Sequence, residues 1–232
     1  MVGVLKTLGS LAALGLAQLA NDVAQGGVFH IMPLGASITF GVGSSTGNGY
    51  RGPLLNTLAS NGWSIDMVGS QRGGNMVDPD NEGFPGLRIE QVHHDKAVVD
   101  VPIYRPHLYL INLGTNDASQ NYDVPNAGAR MNDLFNYLWA ITPDSTIILS
   151  TLVLNRNAAV DGRVQQINTQ YTNLANTLRS QGRKIVLVDM HGSNGPQSNE
   201  MSDDTHPNDA GFQKMANIFY QGILEGSRAG FF

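Results

Sequence analysis

Cysteine is absent from the 232 residues. Disulfides, thiolate nucleophiles and cysteine-ligated zinc are therefore excluded together. Charge is sparse as well: Asp, Glu, Lys and Arg make up 14% of the chain, and Lys and Arg form no run beyond the pair Arg183-Lys184. The 14 basic side chains fall short of the 19 acidic ones, for a net charge of −5. Such a chain offers little to a phosphate backbone, which argues against nucleic acid as a partner. Long apolar runs are lacking too. Leu8 to Ala20, behind Lys6, is too short to span a bilayer, and no later segment is longer, so a membrane is not expected as a partner either. One positive charge, a short apolar stretch and the small residues Gly15, Ala17 and Ala20 read as a secretory signal peptide over residues 1–26. A surface helix is the alternative, because Leu5, Leu8, Leu11 and Leu16 fit a helical face. The first reading predicts a secreted protein.

What is present is apolar and periodic. Hydrophobic residues reach 41%, enough for one sizeable core, and there is no repeat or linker. Nearly continuous apolar runs predict five strands, Val28–Leu34, Ile65–Val68, Leu108–Asn112, Thr146–Leu152 and Ile185–Asp189, buried on both faces. Between them, helical spacing places Val164, Ile167, Tyr171, Leu174 and Leu178 on one face. Phe212, Met215, Phe219 and Ile223 repeat that pattern, as do Met131, Leu134 and Leu138, and Leu54, Leu55 and Leu58 mark a further helix. Alternating strands and helices predict one domain over 27–232: a three-layer α/β/α sandwich around a five-stranded parallel, flavodoxin-like sheet. Two Gly-rich segments, Gly41–Gly49 and Gly69–Gly86, read as loops at the edge where such sheets bind ligands.

Four short constellations end up at that edge. Ser37 follows the first strand in Gly35-Ala36-Ser37, Gly86 closes the second long loop, Asn116 follows the third strand in Gly114-Thr115-Asn116-Asp117, and Asp203 and His206 precede the last helix. A serine hydroxyl needs a base before it is a useful nucleophile, and alone Ser37 reads first as a helix cap or turn serine. Pro207 keeps His206 off the helix, and Asp203 can fold back onto one ring nitrogen, leaving the other free as a base. The Asn116 amide can donate to a developing oxyanion, and a glycine at 86 lets backbone N–H approach a ligand. Each alone has an ordinary structural explanation in a turn or cap. Their order along one sheet edge is what links them.

In that order, the residues resemble the four blocks of the SGNH (GDSL-type) hydrolases. Ser37, Gly86, Asn116 and His206 match the naming residues, and Asp203 stands at the family's spacing before the histidine. The strings Ile31-Met32-Pro33-Leu34-Gly35, Gly49-Tyr50-Arg51-Gly52-Pro53-Leu54, Val68-Gly69-Ser70-Gln71 and Asn81-Glu82-Gly83 resemble carbohydrate esterase family 3, the acetylxylan esterases. The resemblance implies the SGNH fold and a serine esterase acting on O-acetyl groups of a polysaccharide such as xylan. Ser37, His206 and Asp203 then form the triad, with the Ser37 and Gly86 N–H groups and Asn116 as the oxyanion hole. It implies no required cofactor and a monomer. Alternatives are an esterase or lipase for other short-chain esters, or a carbohydrate-binding protein without catalysis. Two positions depart from the pattern: Ala36 replaces the family's aspartate, and Asn81 stands where related esterases often carry histidine.

Other candidates are weaker. Asp78, Asp80 and Glu82 could supply oxygen ligands to a structural calcium, although Pro79 and the spacing favour a turn. His93-His94-Asp95 suggests a metal, but neighbours on a helix diverge and a solvated surface is the expectation. His30, His107 and His191 show no partners in sequence, and Trp63 and Trp139 read as packing residues. The glycines at 41, 43 and 47 have the wrong spacing for a nucleotide fingerprint.

Overall fold

The computed structural model describes residues 28–232, so the segment read as a signal peptide or surface helix lies outside the described residues. Its central strand is β1 (Phe29–Gly35), which pairs in parallel with β5 (Leu108–Asn112). Beyond β5 lie β6 (Thr146–Ser150) and β7 (Ile185–Val188), also parallel. On the other side of β1 one strand position is shared: β2 (Ile65–Met67) pairs with its first half and β4 (Asp80–Gly83) with its last two residues. A short antiparallel strand, β3 (Gln71–Arg72), continues outward from β4. The expected flavodoxin-like order is therefore present, with one position split in two.

Every residue of β5 and β6 is buried, as their unbroken apolar runs require of strands covered on both faces. Alternate side chains sort into two clusters. Met32, Tyr109, Ile111, Ile147 and Leu149 face α6 (Ala127–Ile141) and α7 (Ala158–Ser180), together with α3 (Ile89–Val92) and α4 (Val98–Tyr104), which are joined by one π-helical turn at His93–Ala97. Ile31, Leu108, Leu110, Ile148 and Val186 face α2 (Arg51–Ser60) and α8 (Asp209–Arg228). Two short helices, α1 (Ser37–Phe40) and α5 (Thr115–Ser119), start directly beyond strand ends. Each large apolar side chain buried this way contributes about 1.5–3 kcal/mol.

Side chains cap the two longest helices. Asn157 accepts from Ala159 N and Val160 N at the start of α7, and Asn208 accepts from Gly211 N at the start of α8. The predicted faces of α6, α7 and α8 are buried, except that Leu174 is half-exposed. Among the described residues no helix is long and apolar enough to cross a membrane.

Register positions the site. Gly35 lies opposite Asn112 on one side and Gly83 on the other, so three strands end level. Ser37, Gly86 and Asn116 follow within two to four residues of those ends. Gly35 is required there: a Cβ would sit 2.3 Å from both the Asn112 carbonyl oxygen and Thr39 Oγ1.

Candidate active site

The loop after β7 returns over this edge and closes the site. Met201 and Pro207 form an antiparallel bridge, and Ser202 N donates to the His206 carbonyl at 2.8 Å, which turns the His206 ring toward α1. Its Nε2 lies 2.8 Å from Ser37 Oγ, and its Nδ1 lies 2.8 Å from Asp203 Oδ2. Asp203 Oδ1 meanwhile accepts from the Thr205 and His206 amides, each at 2.7 Å. Burial raises the Asp203 carboxyl, but the His206 imidazole and those two amides outweigh it, so it stays below the ordinary carboxylate range. A charged Asp203 then holds Nδ1–H and leaves Nε2 as the acceptor for the Ser37 hydroxyl.

Ser37 is the first residue of α1, and its backbone N–H points out of that helix unpaired. Gly86 holds φ +84°, which a side chain would strain even though there is open space around it. Among the described residues nothing accepts from the Ser37 or Gly86 N–H. Asn116 lies on α5 with its Nδ2 donating to the Leu87 carbonyl at 2.9 Å. A carboxamide carries two N–H bonds, so this contact fixes the amide plane and leaves one donor over. Behind it Asp117 is fully buried, accepts from Ile89 N at 3.1 Å and pairs with Arg130 at 2.9 Å. All five residues singled out in sequence thus come to one edge.

The comparisons agree with this geometry. The profile of the GDSL-like lipase/acylhydrolase family matches residues 31–219. The chain belongs to that family. Within it, the chain resembles a Clostridium thermocellum family 3 carbohydrate esterase, with 26% identity, a TM-score of 0.78, and coverage of 88% of this chain and 98% of that one. A carbohydrate esterase family 3 structure from Talaromyces cellulolyticus shares the fold at 20% identity and a TM-score of 0.76, covering 87% and 99%. A multidomain esterase of Ruminococcus flavefaciens is 26% identical over 85% of this chain, which spans only 28% of that relative's length. Residues 31–219 accordingly form a GDSL-like lipase/acylhydrolase family domain with an α/β fold built on a mostly parallel sheet.

Ala36, the departure from the family name, is 5% exposed and packs with Met32 and Leu34 in the core. An aspartate there would be buried among apolar groups, so the alanine suits its place. Asn81, the second departure, is buried and bonded locally, accepting from Gly83 N and donating to the Pro79 carbonyl.

Sequence reasoning passed over the residue that holds the loops beside Ser37. Arg51 is fully buried, and among the described residues no carboxylate lies within ion-pair distance of it. Its guanidinium donates to five main-chain carbonyls, those of Thr39, Phe40, Gly47, Gly73 and Pro79, at 2.9–3.2 Å. It gathers α1 and both long loops around one cation. The string containing Arg51 was a signal, but carbonyl acceptors leave no mark in a sequence.

Several expectations need correction. The segment 69–86 is not simply a loop, since it carries β3 and β4. Asp78, Asp80 and Glu82 do not converge: Asp78 accepts from Met67 N at 2.6 Å, Asp80 pairs with Arg72 at 2.8 Å, and Glu82 accepts from Ser70 N at 2.8 Å. Among the described residues no group of three or more such side chains is arranged to hold a metal. His93 is buried against Tyr137 while His94 is exposed, so only half of that pair is solvated. His191 has a partner, Asp161, at 3.0 Å, His30 lies 3.6 Å from Asp66, and His107 Nδ1 accepts from His30 N at 2.9 Å.

Proposed function

We propose that the protein is a secreted monomeric serine esterase that removes O-acetyl groups from acetylated plant polysaccharide such as xylan, without a required cofactor. The observation that carries the chemistry is the continuous hydrogen-bonded chain Ser37–His206–Asp203, with 2.8 Å at each step. The likeness to a family 3 carbohydrate esterase supports the substrate class.

In this reading His206 Nε2 takes the Ser37 proton as Oγ bonds to the ester carbonyl carbon. Asp203 stabilises the imidazolium that forms. The carbonyl oxygen becomes an oxyanion and is met by the Ser37 and Gly86 N–H groups and the free Asn116 N–H. His206 gives its proton to the sugar oxygen as its bond to the carbonyl carbon breaks, so the sugar leaves with a free hydroxyl and an acetyl group stays on Ser37. Water then adds under the same base and releases acetate with Ser37 restored.

The test is acetate release from acetylated xylan beside hydrolysis of p-nitrophenyl acetate and a long-chain ester, with Ser37→Ala as control. Acetate from xylan, lost in the variant, is the expected result. Hydrolysis of the small ester alone would keep the triad and overturn the substrate. Activity on nothing would favour a carbohydrate-binding role.

A further inference from the structure

The loop carrying Asp203 and His206 stands proud of the surface, and the Asp203 side chain remains 55% exposed. A carboxylate so open to water keeps its aim only if its loop is braced from outside. The brace comes from the turn at 154–157 between β6 and α7. Asn155, only 6% exposed, donates from Nδ2 to Thr205 Oγ1 at 3.0 Å. Asn157 N donates to Asn155 Oδ1 at 2.9 Å, which decides which end of the amide faces Thr205. Beside it Arg156 N donates to the Asp204 carbonyl at 2.8 Å.

We propose that Asn155 is a positioning residue for the acid–base pair. It fixes Thr205, whose own N–H holds Asp203 Oδ1 at 2.7 Å, and so keeps the second oxygen, Oδ2, directed at His206 Nδ1. The brace is itself anchored. Asn155 N donates to Asp161 Oδ1 at 2.9 Å, and the same oxygen lies 3.0 Å from His191 Nε2 on the loop after β7. The loop after β7 and the first turn of α7 thus both meet Asn155, the one at its side-chain amide and the other at its main-chain N–H. This inference rests on the triad described under Proposed function.

The test is steady-state hydrolysis of p-nitrophenyl acetate by Thr205→Val, Thr205→Ser, Asn155→Ala and the Thr205→Val/Asn155→Ala pair, with thermal unfolding of each. Thr205→Val keeps the side-chain shape and removes the acceptor. We expect kcat to fall roughly 10-fold, since small misplacements of reacting groups are costly. KM should stay within about twofold, because ground-state binding is untouched. Thr205→Ser, which retains Oγ, should keep the wild-type kcat, and the double variant should be no slower than the slower single one. Should Asn155→Ala not fold, the Thr205 pair decides alone. A wild-type kcat in Thr205→Val, or a loss equal in Thr205→Ser and Thr205→Val, would overturn the positioning role. Undiminished hydrolysis by a Ser37→Ala control would instead overturn the triad itself, and the positioning role with it.

Discussion

The two halves of the site are held by different means. Ser37 grows out of the sheet: its strand is level with two neighbours, Gly35 fits against Asn112 without room for a methyl group, and a buried arginine ties the adjoining loops together. Asp203 and His206 instead ride on a surface loop, kept in shape by its own turn and by contacts from the 154–157 turn. Burial fixes Ser37, whereas hydrogen bonds near water fix Asp203 and His206. Damage behind Ser37 should therefore appear as lost stability, and damage behind His206 as lost rate in a protein that still folds.

Ser37→Ala gives the largest effect and applies to both halves. Activity should drop by roughly 10⁴-fold or more, about 5.5 kcal/mol of barrier, with unfolding unchanged. A burst of product surviving in that variant would rule out the acyl-serine step. Arg51→Met sharpens the contrast on the buried side. Five carbonyls lose their donor, and we expect about 3–5 kcal/mol of stability to be lost in urea unfolding. A loss below about 1 kcal/mol would mean that water replaces the guanidinium, and the contrast would fail. Asn116→Ala comes next, with kcat lower by roughly 10²–10³-fold at little cost to folding. A smaller rate effect would return Asn116 to the role of a turn residue bonded to Leu87.

The last comparison concerns Glu82, on the strand that leads to Gly86. Burial pushes its carboxyl from the ordinary 4.5 up to about 8, and the Asp100 carboxyl beside it adds to the shift. Between those values the folded protein keeps a proton that the unfolded chain has released. This contribution to stability is complete below about 4.5 and is lost as pH rises through about 8. Glu82→Gln should flatten that decline, since the amide still accepts from Ser70 N and can donate to Asp100. Comparing urea midpoints at the two ends of the interval checks it, and identical slopes in both proteins would remove Glu82 as the source.

Much of this was legible because the main features are local. Strands covered on both faces appear as unbroken apolar runs, as at Leu108–Asn112, and amphipathic helices repeat at helical spacing, as at Val164–Leu178. The five site residues could be gathered because each follows a strand end and their chain order is distinctive. What stayed hidden depends on partners distant in sequence. Asp80-Asn81-Glu82 looks like a polar turn, yet it is a strand in which Asn81 and Glu82 are buried and bonded to Pro79 and Ser70, while the half-buried Asp80 pairs with Arg72. Arg51 reads as a surface cation until carbonyls 4 to 28 positions away close around it. His191 likewise finds Asp161 across 30 positions.

The divided position beside β1 bears on how copies of this protein meet one another. Among the described residues the sheet ends on that side in β2, three residues long, and β3, two residues long; on the other it ends in β7, with four. An open row of unpaired N–H and C=O groups invites a strand from another molecule, and a short edge denies it a template. Concentrated preparations should accordingly resist edge-to-edge association, because neither border offers an incoming strand more than one or two rungs to hold.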